Sequence, residues 1–384
     1  MKNIINLLIL SFLIILSCSK NDNDDNLSKI TIKGQFTTTK STDTSKILEA
    51  TKVVVFNLNN EYTISEIKNN SFAVEINRNH PAGLIFTNDN KEFLGFLVLH
   101  NGLESIPLNF VNDSVVTIDF GILKDSLNIV KPITNLYFEN FNMDEETKEA
   151  YLQASINFSI IIHNPDADRN DKIDILEGKF YTISYLYFAT GGTIEQQKIN
   201  AYKELKPDQY RILFSTNENN VPEKLTFKIG NKTFYSEDKK LLDGGRTIYF
   251  SDLLSSTIMG LCEITYGNKT LYFDLPNPVE SLNKAVFIIP TLTFKDNNLI
   301  RVNWEYYSGS NTLVPLKNSE NIIFKVMLSV DDQNHNRLYD SPNFDSYIKE
   351  HTINKTINYA NIGTIYIGYY DIFGNNLAIS YIKE

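Results

Sequence analysis

The chain has 384 residues, a hydrophobic fraction of 42%, a charged fraction of 21% and a formal net charge of −10. This composition is that of ordinary globular protein, which excludes wholesale disorder, and the length allows two or three domains. The acidic charge disfavours a nucleic-acid partner, because such binding needs a basic face to neutralise phosphates. It also disfavours broad electrostatic adhesion to anionic lipid.

The N-terminal segment has the pattern of an export signal. Lys2 precedes an apolar run over residues 4–16 that is too short to span a bilayer in the ordinary way. The run ends at Leu16-Ser17-Cys18, which resembles the lipobox of bacterial lipoproteins, where the signal is cut before a cysteine that is then acylated. The resemblance implies a signal peptide over residues 1–17 and lipid attachment at Cys18. A plain secretory signal or a short N-terminal anchor is the alternative interpretation.

Residues 18–28 are polar and acidic, which predicts a flexible tether because nothing in them can be buried. Lys20 is followed by an acidic run, and this order is similar to the export signal by which some Gram-negative bacteria send lipoproteins to the outer face. The resemblance implies an outer membrane lipoprotein of a Gram-negative bacterium, exposed at the cell surface. The periplasmic face is the alternative location.

Short runs with apolar residues at every second position begin at Lys29, and the abundance of Tyr (21) and Phe (24) favours strands. Seven predicted strands cover residues 29–33, 53–58, 71–76, 84–87, 93–99, 106–110 and 115–123. This spacing predicts a β-sandwich over residues 29–130. The order of elements, with Gly34 on the first strand and Asn69-Asn70-Ser71-Phe72 opening a later one, resembles the prealbumin-like, carboxypeptidase-regulatory-type domain of exported bacterial proteins.

Residues 131–177 are predicted to hold a linker, one helix and a polar loop. Asn142, with Glu145 three residues later, predicts the N-cap of the helix. Apolar residues at four-residue steps, from Leu152 to Ile160, predict one buried stripe. Asn164-Pro165 is expected to end the helix.

The polar loop, residues 166–177, resembles the calcium loops of EF-hand and dockerin-type proteins. The resemblance implies a Ca²⁺ site with ligands from Asp166, Asp168, Asn170, the carbonyl of Lys172, Asp174 and Glu177. Two features depart from that family. Asp171 stands where glycine normally permits a positive φ, and the residues after Glu177 predict a strand instead of a second helix. A polar connector whose carboxylates face water is the alternative interpretation.

Residues 178–283 predict an Ig-like β domain. A Gly-Asn-Lys-Thr tetrapeptide occurs at residues 230–233 and again at 267–270, and each copy predicts a hairpin turn. A short helix is predicted from Thr193 to Leu205. Cys262, in an apolar run without a nearby histidine, is predicted to be a small buried strand residue.

Residues 284–384 predict a third β-sandwich, which follows a boundary at Pro276-Asn277-Pro278. Trp304 lies on an early strand, as the core tryptophan does in fibronectin-III-like sandwiches, and the resemblance implies a fibronectin-III or Ig-like domain with a buried Trp304.

A second loop, residues 332–340, resembles the Asp-x-Asn-x-Asn-Gly-x-x-Asp calcium loops of bacterial surface β domains. The resemblance implies ligands from Asp332, Asn334, Asn336, Leu338 and Asp340. Arg337 replaces the glycine of that pattern, and a solvated loop between strands is the alternative interpretation.

Catalytic motifs are missing from the sequence: HExxH, GxSxG, P-loop and GxGxxG patterns do not occur. The sequence therefore predicts a mostly β chain of two or three tandem β-sandwich domains with one intervening helix. The predicted function is a non-catalytic, membrane-anchored lipoprotein that binds a macromolecule, protein or glycan, or serves as a structural module with calcium-stabilised loops. The alternative is an exported, glycosidase-like hydrolase with paired carboxylates in a sandwich cleft.

Overall fold

The computed structural model describes residues 29–37, 47–126, 128–218, 225–236, 247–253, 259–277, 282, 285–308 and 313–384. The predicted signal peptide, tether and lipid-attachment residue Cys18 lie outside this part of the chain. The described residues form several sheets and two α-helices, which confirms the mostly β fold class. Neither helix has the length and apolar character needed to cross a membrane.

The first sheet has 8 strands in the order β3-β2-β5-β6-β8-β7-β1-β4. Its strands are β1 (Lys29–Phe36), β2 (Lys52–Phe56), β3 (Tyr62–Glu66), β4 (Ser71–Asn77), β5 (Gly83–Thr87), β6 (Phe93–Leu97), β7 (Thr117–Ser126) and β8 (Ile129–Pro132). The two outer strands, β3 and β4, are consecutive in the chain and joined by residues 67–70. The sheet therefore curls back on itself around a core that includes Ile32, Val54 and Phe86.

One predicted strand of this unit is wrong. Residues 106–110 hold a 3-10 helix, Leu108–Phe110, instead of an extended run. Pro107 precedes that helix and has no backbone N–H to give to a sheet ladder. Strands β3 and β8 are additional to the predicted set.

The predicted single helix is two helices, α1 (Glu145–Ala154) and α2 (Ile156–His163). The break lies at Ser155, whose hydroxyl donates to the carbonyl of Leu152 at 3.1 Å, a local bond that competes with the helical pattern. The N-cap is Asp144, not Asn142, because the Asp144 carboxylate accepts the amide of Thr147 at 2.9 Å.

Both helices pack against the C-terminal part of the chain, and α2 also packs against the first sheet. The ring of Phe373 lies 5.3 Å from Tyr151 of α1 and 5.8 Å from Phe158 of α2, measured between centroids. Phe158 in turn lies 5.7 Å from Phe56 of β2. The helices thus connect the first sheet with the last hairpin of the chain.

The second sheet crosses the predicted domain boundary at residues 283/284. It also has 8 strands, in the order β13-β10-β9-β23-β22-β18-β19, with β20 paired to β18. Its strands are β9 (Tyr181–Glu195), β10 (Lys198–Thr216), β13 (Thr247–Leu253), β18 (Ile323–Asp331), β19 (Arg337–Asp340), β20 (Phe344–Asp345), β22 (Thr364–Asp371) and β23 (Asn376–Ile382). Because β23 pairs in parallel with β9, residues from the predicted 178–283 and 284–384 domains share one sheet.

The predicted helix from Thr193 to Leu205 is wrong, because these residues belong to the β9–β10 hairpin. Gln196 and Gln197 form its turn with φ of 46° and 67°, and Glu195 faces Lys198 across it. Burial alternates along β9, which is the period of a strand with one face covered.

Two smaller sheets complete the described part of the fold. One has 4 strands in the order β12-β11-β14-β15, and the other has 3 in the order β16-β17-β21. Their strands are β11 (Thr226–Ile229), β12 (Lys232–Tyr235), β14 (Gly260–Tyr266), β15 (Lys269–Leu275), β16 (Val286–Lys295), β17 (Asn298–Ser308) and β21 (Glu350–Thr352). Both predicted Gly-Asn-Lys-Thr hairpins are confirmed, with Gly230 and Gly267 at positive φ. Cys262 and Trp304 are buried, as predicted.

Candidate metal centre

The first predicted calcium loop lies between the end of α2 and the start of β9, and one of its own side chains closes it. The carboxylate of Asp166 accepts the amides of Asn170 and Asp171 at 3.0 and 2.8 Å. The loop then enters a 3-10 helix, Asp174–Glu177, which ends at Gly178 with φ 74°. The polar side chains at the start of the loop thus fold its backbone into a tight turn.

Asp171 has the backbone conformation that the sequence pattern requires at loop position 6. Its φ is 67°, in the left-handed region where glycine is the usual residue. Aspartate tolerates this region better than most residues. The substitution of Asp for Gly therefore leaves the turn in place.

Three of the predicted ligands come together. Asp166, Asp168 and Asp174 each offer one carboxylate oxygen, and these three oxygens lie within 4.8 Å of one another. Oxygens that bind one Ca²⁺ at its usual distances lie at most about 5 Å apart. The spacing of this acidic triad (Asp166, Asp168 and Asp174) therefore suits a single calcium ion.

Asp174 is the buried member of the triad, with 5% of its surface exposed. Its Oδ2 accepts the amide of Ala167 at 2.7 Å. Its Oδ1, like Oδ1 of Asp168, has no hydrogen-bond partner among the described residues. An unsatisfied buried oxygen costs free energy, and a cation bound there would remove that cost.

The electrostatics of the triad favour a positive charge. Burial raises the pKa of Asp174 to about 7, against the opposing bond from the Ala167 amide, and the charges of Asp168 and Asp166 raise it further. Burial also raises the pKa of Asp166. Burial therefore disfavours the charged form of both carboxyls, and a cation bound beside them would favour it.

The predicted ligand Glu177 bonds to groups outside the triad. Oε2 of Glu177 accepts the side-chain amide of Asn170 at 2.7 Å and the ammonium of Lys179 at 2.6 Å. The bond to Lys179, followed by the bond to Asn170, lowers the pKa of Glu177. Lys172 places its ammonium 3.9 Å from the other Glu177 oxygen. Glu177 thus faces two lysines.

The loop contacts the first sheet through Lys91, in the turn between β5 and β6. The amide of Ile173 donates to the carbonyl of Lys91 at 3.3 Å, and the ammonium of Lys91 donates to the carbonyl of Leu176 at 2.9 Å. No local signal in the sequence points to Lys91, because it is far from the loop along the chain.

The loop also contacts the parts of the chain that follow it. The amide of Tyr272, on β15, donates to the carbonyl of Ala167 at 2.9 Å, and the guanidinium of Arg169 lies 3.6 Å from the centre of the Tyr272 ring. Beyond β10, Asn217 donates its side-chain amide to the carbonyl of Gly178 at 2.8 Å. The triad is therefore at a junction of the first, second and four-stranded sheets.

The second predicted calcium loop forms the β18–β19 hairpin turn. Oδ1 of Asp332 accepts the amides of Asn334 and Asn336, both at 2.8 Å, and its Oδ2 accepts the Asn336 side chain at 2.9 Å. The Asp332 carboxylate thus closes the turn together with backbone bonds from the Asp332 amide to the Asn336 carbonyl at 2.9 Å and from the His335 amide to the Asp332 carbonyl at 3.0 Å.

Two further predicted ligands of that loop, Leu338 and Asp340, lie on β19 and bond to other side chains. Asp340 accepts the guanidinium of Arg337 at 2.7 Å, and the carbonyl of Leu338 accepts the ammonium of Lys355 at 2.6 Å. Throughout the described ranges, the triad is the group of three or more acidic side chains at metal-ligand spacing. The predicted ligand set of the second loop contains only two carboxylates, Asp332 and Asp340.

A hydrolytic site would need two carboxylates in one cleft. A small cleft between α1 and the β22–β23 hairpin contains one, Asp371. Burial raises the pKa of Asp371 to about 7, but its oxygens accept the amides of Phe373 and Asn375 and the Asn375 side chain. These bonds assign Asp371 to the closure of its own turn.

No family model matches the sequence, and no curated protein matches it. Among solved structures, the chain is similar to a tetra-tandem repeat from the extending region of a large adhesion protein, with 8% identity, a TM-score of 0.16, and coverage of 93% of this chain and 74% of that one. It is also similar to the Yersinia pseudotuberculosis adhesin InvE, with 11% identity, a TM-score of 0.14, and coverage of 52% and 58%. At these TM-scores neither likeness carries an argument about fold or function.

Proposed function

We propose that this chain is a non-catalytic lipoprotein of the outer membrane, anchored through Cys18, whose β sheets serve as a binding or structural module at the cell surface. In this proposal a calcium ion at the triad stiffens the junction of the sheets. The unpartnered, buried Oδ1 of Asp174, beside two further carboxylates, is the observation that carries the calcium site.

The ligand chemistry supports calcium over softer metals. The triad supplies only carboxylate oxygens, which suit hard cations, whereas zinc prefers nitrogen and sulfur. Three protein oxygens leave room for carbonyls and water in the six to eight positions that calcium takes. Loops of extracellular modules bind in the range of about 0.1–1 mM, which suits a protein outside the cytoplasm.

The position of the loop supports a stiffening role. It touches Lys91 of the first sheet and Tyr272 of the four-stranded sheet. Gly178, the residue after the loop, accepts a bond from Asn217 beyond β10. An ion that orders the loop would hold these three contacts in one geometry. Rigid spacing between sheets is useful for a module that must present a surface away from the membrane.

Calorimetric unfolding with CaCl₂ or with EGTA tests the proposal. At calcium about 10 times the dissociation constant, linkage adds about 1.4 kcal/mol to the free energy of unfolding. The melting temperature should then rise by a few degrees. Asp174→Asn, which keeps the side-chain shape, should remove most of this shift.

Asp332→Asn is the matched control, because it removes one carboxylate charge from the second predicted loop. It should leave the calcium-dependent shift unchanged. Identical melting of the unsubstituted protein with and without calcium would show that the triad is only a polar connector.

A further inference from the structure

The ammonium of Lys179 lies against the acidic loop as an internal cation. Its Nζ is 2.6 Å from Oδ2 of Asp168 and 2.6 Å from Oε2 of Glu177. The three side chains are 24%, 14% and 19% exposed respectively, so these pairs are better shielded from water than ordinary surface ion pairs.

Lys179 satisfies only part of the loop. It binds Oδ2 of Asp168, while Oδ1 of Asp168 and Oδ1 of Asp174 have no partner in the described part of the chain. A single ammonium has three donors and one charge, whereas a calcium ion gathers six or more oxygens around two charges. The loop thus holds more acceptor capacity than its own lysine uses.

Lys179 can leave without disturbing the backbone. Its amide donates to the carbonyl of Asp174 at 3.0 Å, which fixes the main chain, while the ammonium ends a flexible four-carbon stem. Glu177 occupies loop position 12, the position that supplies a bidentate ligand in EF-hand loops. When the ammonium moves away, Oε2 of Glu177 loses its charged partner and keeps the side-chain amide of Asn170 at 2.7 Å.

Resting on the proposed calcium site, we propose that Lys179 is the built-in competitor of Ca²⁺ and sets the affinity of the loop. Without calcium, Lys179 bridges Asp168 and Glu177 and keeps the loop folded. Calcium binding displaces the ammonium from Asp168, and Glu177 then joins the triad as a fourth carboxylate. The cost of displacing Lys179 keeps the affinity weak.

Titration calorimetry of the full chain with CaCl₂ tests this role. Lys179→Gln should lower the dissociation constant about tenfold, because the ion no longer competes with an ammonium. Lys172→Gln removes one positive charge from the loop itself and leaves the Lys172 carbonyl in place. The Lys172 ammonium is 3.9 Å from Glu177 and makes no pair with the triad. We expect that control to change the dissociation constant less than about twofold.

Thermal melting gives a second readout. In EGTA, Lys179→Gln should have a lower melting temperature than the unsubstituted protein, since Asp168 and Glu177 lose their cation. Added calcium should remove this difference in melting temperature. Lys179→Met keeps the aliphatic stem and replaces Lys179→Gln in both experiments if the latter does not fold.

The outcomes separate the two proposals. If the unsubstituted protein binds calcium and the Lys179 variants bind no more tightly, or no more tightly than Lys172→Gln, the competitor role is wrong and the calcium site stands. If only the Lys179 variants bind, the competitor role is supported and calcium binding by the native chain is wrong. If no variant binds, both are wrong.

Discussion

Nε2 of His163, the last residue of α2, lies 2.9 Å from Oε1 of Glu104, so the helix pair is tied to the segment between β6 and β7. The other Glu104 oxygen accepts the hydroxyl of Ser159, one turn earlier on the helix. The bond to Glu104 raises the pKa of His163, while burial opposes the shift. His163 lies three residues before the predicted calcium loop, and the contact shares no residue with that loop.

The His163–Glu104 pair predicts a pH dependence. The pKa of His163 in the folded protein is raised above its ordinary 6.5. The contribution of the pair to the free energy of unfolding is therefore fully present below pH 6.5 and is lost as the pH rises through the folded-state pKa. The imidazole is 47% exposed, so solvent screening keeps the effect small. Urea unfolding of the unsubstituted protein and of Glu104→Gln, in EGTA, should differ most near pH 6 and converge above about pH 8. A difference that grows with pH would contradict this assignment.

The positive φ of Asp171 predicts the order of stability of variants at this position. At the Asp171 φ of 67°, the left-handed backbone conformation is unfavourable for alanine by about 1 kcal/mol or more, whereas glycine adopts it without strain. Asp171→Ala should therefore lower the free energy of unfolding by about 1 kcal/mol. Asp171→Gly should stay within about 0.5 kcal/mol, because relief of strain is offset by the greater freedom of the unfolded chain.

Urea unfolding in EGTA measures the Asp171 series without a contribution from calcium. Lys172→Ala, at the neighbouring exposed position with no positive φ, serves as the control and should change stability by less than about 0.5 kcal/mol. An alanine variant more stable than the glycine variant would contradict the strained turn.

Local features of the fold were predictable from the sequence, and distant pairings were not. The Gly230 and Gly267 turns carry a residue that accepts positive φ, so their hairpins could be recognised. The β9–β10 turn has the same need but uses Gln196 and Gln197, which carry no such signal. Parallel pairing of β9 with β23 joins segments far apart in the chain, where no short-range pattern can report it.

The candidate site shows the same limit. Loop spacing was enough to select Asp166, Asp168 and Asp174, because their convergence follows from a local turn. Spacing also selected Glu177, whose carboxylate instead bonds to Lys179. The orientation of a flexible side chain such as that of Glu177 depends on which charged groups lie near it in the folded protein. The spacing of ligand residues in the sequence does not reveal those neighbours.

The proposed lipid anchor at Cys18 predicts that membrane attachment can be lost while the fold is kept. Cys18→Ala should move the protein from the membrane fraction to the soluble fraction, because each acyl CH₂ contributes about 0.8 kcal/mol to membrane binding. Cys262→Ala is the matched control, since Cys262 is the other cysteine of the chain and is buried in β14. It should lower stability and leave attachment unchanged. Membrane retention of the Cys18 variant would show that residues 4–16 are themselves the anchor.

Because β9 and β23 share the second sheet, a destabilising substitution on β23 should also destabilise β9. Ile379 is buried on β23, faces Ala189 of β9, and faces Ile367 of β22 on its other side. Ile379→Ala should cost about 2–5 kcal/mol through lost burial and a residual cavity. Hydrogen exchange should then accelerate together over residues 181–195 and 364–382, because one sheet opens as a unit. Ile85→Ala, the same change in the first sheet, should accelerate exchange first in β2 and β5. If Ile379→Ala leaves β9 protected, residues 178–283 and 284–384 unfold independently, as separate domains would.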